Sequence, residues 1–244
     1  MIVYRLTPWD TKSLGFKTAE ILAIDYTLAE DSVLSELDII LTELTQKEVK
    51  FVYVRVDGQF LQLRKILQEK GFYFAECSQF LSKNKIQRYE RAKNLPNLSM
   101  SEPLENDIQL IKDFARDSFK FSRFHEDKTI AIEKANLRYY NWIDDIRDQN
   151  LDIKIFKSND KIIALSIQEN NPNNTQAKLV LAGCGLGSEI YALSLWNEII
   201  DYNKSKGIRK LTTVISASNI GVANIYSYYG FKVDKTLFGF HKYL

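Results

Sequence analysis

Three glycines at alternate positions mark the segment with the clearest potential for chemistry. Gly183, Gly185 and Gly187 follow an apolar, strand-like run that ends at Leu181, and a helix is predicted to begin at Ser188. Backbone N–H groups in such a strand–turn–helix segment can point toward one spot, and the positive end of the helix dipole adds to their field. Glycine at these positions would let an anion approach closely. The segment therefore predicts a site for a phosphate or pyrophosphate group.

Two other glycine-rich motifs and one structural alternative compete with that interpretation. A P-loop requires Lys and then Ser or Thr after its last glycine, and no Lys follows Gly187. The dinucleotide fingerprint G-x-G-x-x-G requires glycine where this chain has Ser188 or Ile190. The alternative that stays open is a tight strand-to-helix turn without a ligand, in which glycine serves only the backbone.

A second chemical signal lies downstream, in the segment Asn219-Ile-Gly-Val-Ala-Asn-Ile-Tyr-Ser-Tyr-Tyr-Gly-Phe. It follows a predicted strand at Leu211–Ser216 and contains Tyr226 in a predicted short helix, Ile220–Tyr229. A phenol keeps its proton at neutral pH because its reference pKa is about 10, so Tyr226 could protonate a departing thiolate. The alternative is an ordinary tyrosine of an amphipathic helix, like its neighbour Tyr228.

The two segments together resemble the GNAT superfamily of acyl-CoA N-acyltransferases. That superfamily combines a [QR]-x-x-G-x-[GA] pyrophosphate loop with a downstream N-x-x-A-x-x-x-Y-x-x-x-G-F segment. Asn219, Tyr226, Gly230 and Phe231 fit the second pattern, and Ala223 lies one place later than the pattern has it.

Further motifs resemble one branch of that superfamily. In the loop, Ala182 stands where Gln or Arg is usual, so the resemblance implies a backbone cradle without that side chain. The dTDP-4-amino-4,6-dideoxygalactose (dTDP-fucosamine) N-acetyltransferases have a similar Leu-Ala-Gly-x-Gly-x-Gly loop. They also have elements like Trp9-Asp10 followed by Leu14-Gly15-Phe16, and like Ser122-Arg123-Phe124 followed by Tyr139-Tyr140-Asn141-Trp142.

The resemblance implies direct transfer of acetyl from acetyl-CoA to the amine of a nucleotide-activated, dTDP-linked amino-dideoxy sugar, without a metal. Tyr226 would protonate the CoA thiolate. The residues expected to bind acetyl-CoA are Leu179, Val180, Leu181, Ala182, Gly183, Cys184, Gly185, Leu186, Gly187, Ser188, Asn219 and Ala223. The residues expected to contact the sugar nucleotide are Arg123, Phe124, His125 and Tyr139.

Several roles stay open at this point. His125, Glu126 and Glu169 are candidate bases, and water could equally carry the ammonium proton away. Arg123 could pair with the sugar diphosphate or form a structural salt bridge. Cys184 has no neighbouring His in the sequence, so we interpret it as a spacer and not a nucleophile. The acceptor could also be another amino sugar, a polyamine or a protein amine, or the chain could be a non-catalytic acyl-CoA-binding module.

The composition is that of an ordinary globular protein. Of the 244 residues 45% are hydrophobic and 26% are charged, and the net charge of +2 gives no preference for nucleic acid or membrane. Two cysteines and two histidines without metal-ligand spacing argue against a structural metal site or a disulfide scaffold. The sequence begins without a signal-peptide pattern, so we expect a cytoplasmic enzyme. The resemblance suggests a homodimer.

Strand and helix patterns alternate along the chain, which predicts an α/β fold. Phe51–Val56, Phe60–Lys70 and Phe72–Ser82 are predicted as strand, helix and strand, and the segment from Leu211 to Tyr243 repeats this order. The first copy has Leu67 at the position of Tyr226 and no glycine-rich turn before it. With the resemblance, this predicts a GNAT-like mixed central sheet flanked by helices, with a smaller related N-terminal α/β half.

Two domain boundaries follow from these patterns and divide the chain into three segments. Residues 1–83 would be the N-terminal half that lacks the cofactor loop, and residues 104–244 would be the catalytic domain. Residues 84–103 would be the linker, because this stretch holds two of the four prolines and few large apolar residues. The basic residues around it would belong to a solvated connector or to an edge that attracts phosphate.

Overall fold

The computed structural model describes residues 1–25, 29–147, 149, 151–158, 161–173 and 175–244. Two compact units interleave along the chain. The first contains Met1–Ser78, Ser122–Arg138 and Lys235–Leu244, and the second contains Gln79–Phe121 and Tyr139–Asp234. The boundaries inferred from the sequence, at 83 and 104, stay a prediction about domains that fold independently. No helix in the described ranges is long and apolar enough to cross a membrane.

Strands and helices alternate, which confirms the predicted α/β layering, and we number them in chain order. The strands are β1 (Ile2–Leu6), β2 (Thr18–Ile24), β3 (Phe51–Asp57), β4 (Tyr73–Asn84), β5 (Met100–Ser101), β6 (Asp152–Ser158), β7 (Lys161–Asn170), β8 (Gln176–Cys184), β9 (Lys210–Ser216) and β10 (Lys232–Tyr243). The helices are α1 (Pro8–Leu14), α2 (Glu30–Gln46), α3 (Leu61–Glu69), α4 (Ile108–Ser118), α5 (Ile132–Arg147), α6 (Ala192–Ser205) and α7 (Ile220–Tyr228).

The first unit contains a mixed sheet in the order β1-β2-β3-β10. β2 and β3 are parallel, whereas β1 pairs with β2 and β10 pairs with β3 in the antiparallel sense. The β-branched and aromatic residues of β3 are nearly all buried, as expected for a strand in the middle of a sheet. Residues of α2 and α3 pack with those of β2 and β3 in one apolar cluster.

The second unit contains a mixed sheet in the order β4-β9-β8-β7-β6-β5. β6, β7 and β8 are antiparallel neighbours, and β8 and β9 are parallel. Two apolar clusters cover this sheet. One includes α6 and Tyr226 of α7, and the other includes Ile111 and Ala115 of α4.

The stretch interpreted as a linker is packed in the structure. Ile86 is fully buried in a core cluster that also contains residues of α6. The guanidinium of Arg91 pairs with the carboxylate of Asp201 at 3.1 Å and also with that of Glu198, and β5 pairs with β6. Arg91, held by two acids, offers little positive charge to a phosphate, whereas the linker at residues 84–103 stays a prediction.

Helix α1 is not among the predicted elements, although its signals are present. Pro8 occupies the first turn, and Gly15 ends the helix with a positive φ of 81°. The helix has only seven residues, so it is too short for an apolar periodicity to show in the sequence.

Candidate functional site

β8 and β9 separate at the segment predicted to bind acetyl-CoA. Their parallel pairing ends where Leu179 lies opposite Thr213, although β8 continues to Cys184 and β9 continues to Ser216. Backbone groups of β8 beyond Leu179 therefore face a gap and not a neighbouring strand. An extended ligand can hydrogen-bond to such an open strand edge.

A β-bulge in β8 lies at the start of this gap. On the side of β7, Ile167 pairs with Leu181 and Gln168 pairs with Leu179, so Val180 has no opposite residue. A bulge bends its strand and turns backbone groups out of the ladder, and bulges are frequent next to active sites. This one would direct a main-chain N–H group of β8 into the gap.

A cavity of about 470 Å³ fills the gap between the two strands. Nine of the residues predicted to bind substrates line it: Tyr139, Val180, Leu181, Ala182, Gly183, Cys184, Leu186, Asn219 and Tyr226. The other lining residues include Phe119, Trp196 and Thr213. The remaining predicted acetyl-CoA residues, which lie outside the lining, are Leu179, Gly185, Gly187, Ser188 and Ala223.

Glycine is required in the loop for two different structural reasons, close packing at two positions and backbone conformation at the third. A Cβ on Gly183 would lie 2.9 Å from the ring of Phe119, and one on Gly185 would lie 2.7 Å from the ring of Phe114. Aromatic rings thus fill the space that the sequence analysis assigned to an anion. Gly187 has a φ of 78°, which favours glycine, and a Cβ there would meet only open space.

Several N–H groups of the loop are already bonded within the protein. Gly185 N–H donates to the carbonyl of Ile163 at 2.8 Å, and Ser188 N–H donates to the carbonyl of Gly185 at 2.9 Å. Gly187 N–H donates to the carboxylate of Glu189 at 3.1 Å. An acidic side chain therefore occupies one of the positions predicted for a pyrophosphate oxygen, and an incoming anion would have to displace it.

Asn219 begins helix α7 and also lines the cavity. Its side-chain carbonyl accepts a hydrogen bond from Val222 N–H at 3.2 Å, which satisfies one of the free donors at the helix start. The cap fixes where α7 begins, and so it helps to fix the direction in which Tyr226 points.

Tyr226 is the phenol of the cavity, and it is only 3% exposed. Its ring makes edge contacts with the rings of Trp196 and Phe231, with centroids 5.4 and 4.7 Å away. Burial raises the pKa of Tyr226 to about 12, while the neighbouring Thr213 hydroxyl and Trp196 indole act in the opposite direction. The hydroxyl is thus a protonated donor at neutral pH.

Cys184 also faces the cavity, at the end of β8. Burial raises the pKa of its thiol to about 12, and the nearby charge of Glu189 acts in the same direction. A thiol with such a pKa is a poor nucleophile at neutral pH, because only the thiolate attacks. The geometry agrees with the interpretation of Cys184 as a spacer.

The residues predicted to contact the sugar nucleotide divide between the two units. Tyr139 lies in the second unit, where its hydroxyl donates to the carbonyl of Phe121 at 3.1 Å and its ring lies 5.6 Å from that of Phe119. Arg123, Phe124 and His125 belong to the first unit.

Within the first unit, Arg123 makes structural contacts. Its guanidinium lies 3.3 Å from the carboxylate of Glu20 and 4.2 Å from the centroid of the Tyr53 ring. Phe124 is buried in a small aromatic cluster. The two ring nitrogens of His125 hydrogen-bond to Ser122 at 2.7 Å and to Asn136 at 3.1 Å. A sugar diphosphate would compete with Glu20 for Arg123.

The cavity residues that the sequence analysis did not identify include Phe119, Glu189, Trp196 and Thr213. Thr213 was accessible in principle, because its strand leads directly into the Tyr226 segment. Trp196 lies on the α6 face that packs toward the sheet, where an apolar residue is the ordinary expectation. Phe119 is brought to the cavity by tertiary structure alone, whereas Glu189 directly follows the predicted loop and was accessible from the sequence.

Comparisons with known proteins agree with this geometry, although no family sequence profile matches the chain. A spore coat polysaccharide biosynthesis protein, SpsD of Bacillus subtilis strain 168, is 21% identical over 99% of this chain and 83% of its own length. A GCN5-related N-acetyltransferase from Sphaerobacter thermophilus superposes with a TM-score of 0.68 at 9% identity, covering 98% of this chain and 76% of that chain.

A second similar structure is the GCN5-related glucosamine N-acetyltransferase region of a fungal multi-domain β-N-acetylglucosaminidase. It superposes with a TM-score of 0.68 at 11% identity, and the match covers 99% of this chain and 31% of that one. The chain therefore has the GNAT fold, as the motifs in the sequence predict.

Proposed function

We propose that this chain is an N-acetyltransferase that moves acetyl from acetyl-CoA to the amine of a nucleotide-linked, dTDP-activated amino-dideoxy sugar. The observation that carries the proposal is the gap between β8 and β9, which is lined by a bulge on one strand and by Thr213 and Tyr226 on the other side. Together with the GNAT fold, this arrangement supports acyl transfer from a thioester.

The roles of the residues follow from what the reaction needs. The pantetheine arm would extend along the open edge of β8, and an N–H group at the Val180 bulge would polarise the thioester carbonyl as negative charge develops on its oxygen. Tyr226 would protonate the departing thiolate, since its hydroxyl is buried and keeps its proton at neutral pH. The loop from Gly185 to Ser188 and the start of α6 would receive the pyrophosphate after Glu189 swings away.

Three observations support a sugar as the acceptor. The relative from Bacillus subtilis is named for polysaccharide biosynthesis, and one similar structure is described as a glucosamine N-acetyltransferase. The aromatic residues Phe119, Phe121 and Tyr139 form one side of the cavity, and aromatic rings offer flat apolar surfaces against which a sugar ring or a base can stack. The nucleotide and the amine position rest on the sequence motifs alone.

The experiment that tests the proposal follows CoA release with a thiol reagent. Acetyl-CoA is mixed with the protein and one amine from a panel: dTDP- and UDP-linked 4-amino and 3-amino dideoxy sugars, glucosamine, spermidine and a short peptide. A reaction without an amine gives the baseline, including any labelling of the protein's own cysteines. Turnover with a dTDP-amino sugar alone is the expected result.

Other outcomes correct the proposal at different levels. Turnover with a UDP-amino sugar or free glucosamine would keep the sugar and change the activating group. Turnover with spermidine or peptide would remove the sugar assignment. Tight acetyl-CoA binding without turnover on any amine would contradict the catalytic proposal and favour an acyl-CoA-binding module.

A further inference from the structure

The indole N–H of Trp196 is a buried donor without an acceptor. The side chain is only 1% exposed, and among the described residues its Nε1 has no hydrogen-bond partner. Buried Trp N–H groups nearly always have a partner, because leaving a polar group unpaired in the interior costs about 1–3 kcal/mol. This donor lies in the wall of the cavity that contains Tyr226.

The hydroxyl of Tyr226 is a group that could use this donor, since the Trp196 indole lowers the pKa of that phenol although the two form no hydrogen bond in the resting structure. The two rings meet edge to face, with centroids 5.4 Å apart and planes at 90°. Trp196 lies on the first half of α6, and Tyr226 lies in the last turn of α7. The two helices therefore hold an N–H donor and an O–H group side by side, although they are distant in sequence.

Thr213 is the other polar neighbour of Tyr226, but its own proton is engaged. The Thr213 hydroxyl donates to the carbonyl of Leu179 at 3.0 Å, at the last parallel pair of β8 and β9. A hydroxyl has one proton, so Thr213 can accept from Tyr226 but can donate to it only by breaking that bond. Trp196 has no competing acceptor among the described residues.

If Tyr226 is the acid, its oxygen becomes negatively charged during the reaction, and an unpaired donor such as the Trp196 N–H group can stabilise that charge. When Tyr226 gives up its proton, a negative phenolate oxygen forms in a buried, mostly apolar place, where an unpaired charge is very unfavourable. A donor with no partner before the reaction can form its hydrogen bond only as the charge develops. Such a bond stabilises the transition state more than the ground state.

We propose that Trp196 is a positioning residue for the acid of this reaction: its indole N–H donates to the Tyr226 oxygen as that oxygen loses its proton. The inference rests on the proposed acetyl transfer and adds a residue to it. Burial, which makes Tyr226 hard to ionise, and Trp196, which eases ionisation, act against each other at one atom.

The step balances as follows. The amine nitrogen forms a C–N bond with the thioester carbon, and the C–S bond breaks with its electron pair on sulfur. The Tyr226 O–H proton moves to that sulfur, which leaves the phenolate under the Trp196 N–H. The extra proton on the new amide nitrogen leaves to solvent, and a proton from water restores the phenol.

A double-mutant cycle tests the inference on the full chain. Trp196→Phe and Tyr226→Phe are made singly and together, and Trp142→Phe, which alters a tryptophan outside the cavity, is the matched control. We expect Trp196→Phe to lower kcat ten- to a hundredfold, because hydrogen bonds to charged groups are of that strength, while KM for acetyl-CoA stays within about twofold. In the Tyr226→Phe background the same change should have almost no further effect on kcat.

If Trp196→Phe lowers kcat by the same factor in the wild-type and the Tyr226→Phe proteins, the inference is overturned, because Trp196 would then act independently of Tyr226. A rise in KM with unchanged kcat would also overturn it, and would give Trp196 a role in binding. Absence of turnover in the wild-type chain would overturn the proposed function itself, and this result differs from both others because no variant is needed to see it.

A spectroscopic readout keeps the inference testable if Trp196→Phe fails to fold. The chain has three tryptophans, so the indole N–H signals of 15N-labelled protein can be assigned with Trp9→Phe and Trp142→Phe. The Trp196 signal should shift in Tyr226→Phe, which retains the ring but removes the oxygen, and should stay in Tyr228→Phe. An unchanged Trp196 signal in Tyr226→Phe would contradict contact between the N–H group and that oxygen.

Discussion

Two regions of the molecule, β2 to Phe72 and β8 to Phe231, repeat the same backbone. Each has a parallel strand pair four residues long, Thr18–Ile21 with Phe51–Val54 and Gln176–Leu179 with Lys210–Thr213. Each has a bulge just after that pair, at Leu22 and at Val180. Both regions then end on a nine-residue helix, α3 or α7.

The ends of those two helices also match. Phe72 N–H donates to the carbonyl of Leu67 at 2.9 Å, and Phe231 N–H donates to the carbonyl of Tyr226 at 2.9 Å. The glycines that precede Phe72 and Phe231 both have left-handed backbones, with φ of 77° and 74°. Gly-Phe is therefore a structural device that ends a helix, and by itself it carries no information about activity.

At three matching positions the two regions differ in the polar groups for which chemistry is proposed. Val54, Phe60 and Leu67 of the first region stand at the same spacing as Thr213, Asn219 and Tyr226 of the second. The first region has apolar groups at all three positions, and the second has two hydroxyls and an amide. Under the proposed function, the bulge and the diverging strands are a scaffold, and a few polar atoms distinguish the region that reacts from the one that does not.

The largest effect on kcat is expected when the proposed acid of the second region, Tyr226, loses its hydroxyl and so becomes apolar like Leu67 of the first region. Tyr226→Phe should lower kcat by about 10²- to 10³-fold, within the range for loss of a general acid, with acetyl-CoA binding unchanged. Stopped-flow kinetics and calorimetric titration measure the two quantities. Tyr228→Phe is the matched control, since Tyr228 is 65% exposed on the same helix.

The pH dependence of kcat in the wild-type chain also tests whether Tyr226 is the acid. Burial raises the pKa of Tyr226 to about 12, so the phenol stays protonated and kcat should have no alkaline limb from this group below pH 10. A limb near pH 8 or 9 that disappears in Tyr226→Phe would show that the acid titrates much lower than burial implies.

The glycine loop, which the first region lacks, should be sensitive to a single methyl group. Gly185→Ala places a Cβ against the Phe114 ring, and overpacking of this kind lowers the free energy of unfolding by about 1–3 kcal/mol. Phe114→Leu in the same chain should restore part of the loss, as measured by urea denaturation. Gly187→Ala is the control for backbone strain alone, because open space surrounds it. Equal losses in Gly185→Ala with and without Phe114→Leu would contradict the packing explanation.

Exchange of the side chains at the matching positions Val54 on β3 and Thr213 on β9 should have a smaller effect on kcat and stability. Thr213→Val removes the hydroxyl that bonds Leu179 and contacts Tyr226, and we expect kcat to fall about three- to tenfold. Val54→Thr buries a hydroxyl in the first unit, and it should lower the free energy of unfolding by about 1–3 kcal/mol without changing kcat. A kcat loss in Val54→Thr would mean that the first region contributes to the reaction.

Cys184→Ala should have the smallest effect. The thiol faces the cavity, but its pKa of about 12 keeps it protonated, and the proposed reaction needs no covalent intermediate. The variant should retain kcat within about twofold, and the wild-type thiol should react slowly with iodoacetamide at pH 7.5. An inactive Cys184→Ala variant that binds acetyl-CoA normally would argue for an acyl-enzyme.

The spacing of apolar residues and the positions of glycine and proline predicted the alternation of strands and helices, because these signals act locally. The Tyr226 segment was also accessible, since strand, turn and helix signals lie next to one another there. The contacts of Gly183 and Gly185 with Phe119 and Phe114 were not, because they join residues far apart in the chain. For the same reason the sequence could not reveal that Trp196 stands beside Tyr226. The bond from Gly187 to Glu189 spans only two residues and was accessible from the sequence.

The pairing of β3 with β10 has a consequence for synthesis on the ribosome. Residues Phe51–Asp57 of β3 bond to residues Leu237–Tyr243 of β10. One edge of β3, which is synthesised early, therefore has no partner until β10 is synthesised. Most multidomain chains fold their N-terminal part first as it emerges. Here the first 78 residues cannot complete their unit until the remaining 166 of the 244 residues are translated. Nascent chains should therefore carry an unpaired strand edge, which makes them clients for chaperones that protect such edges.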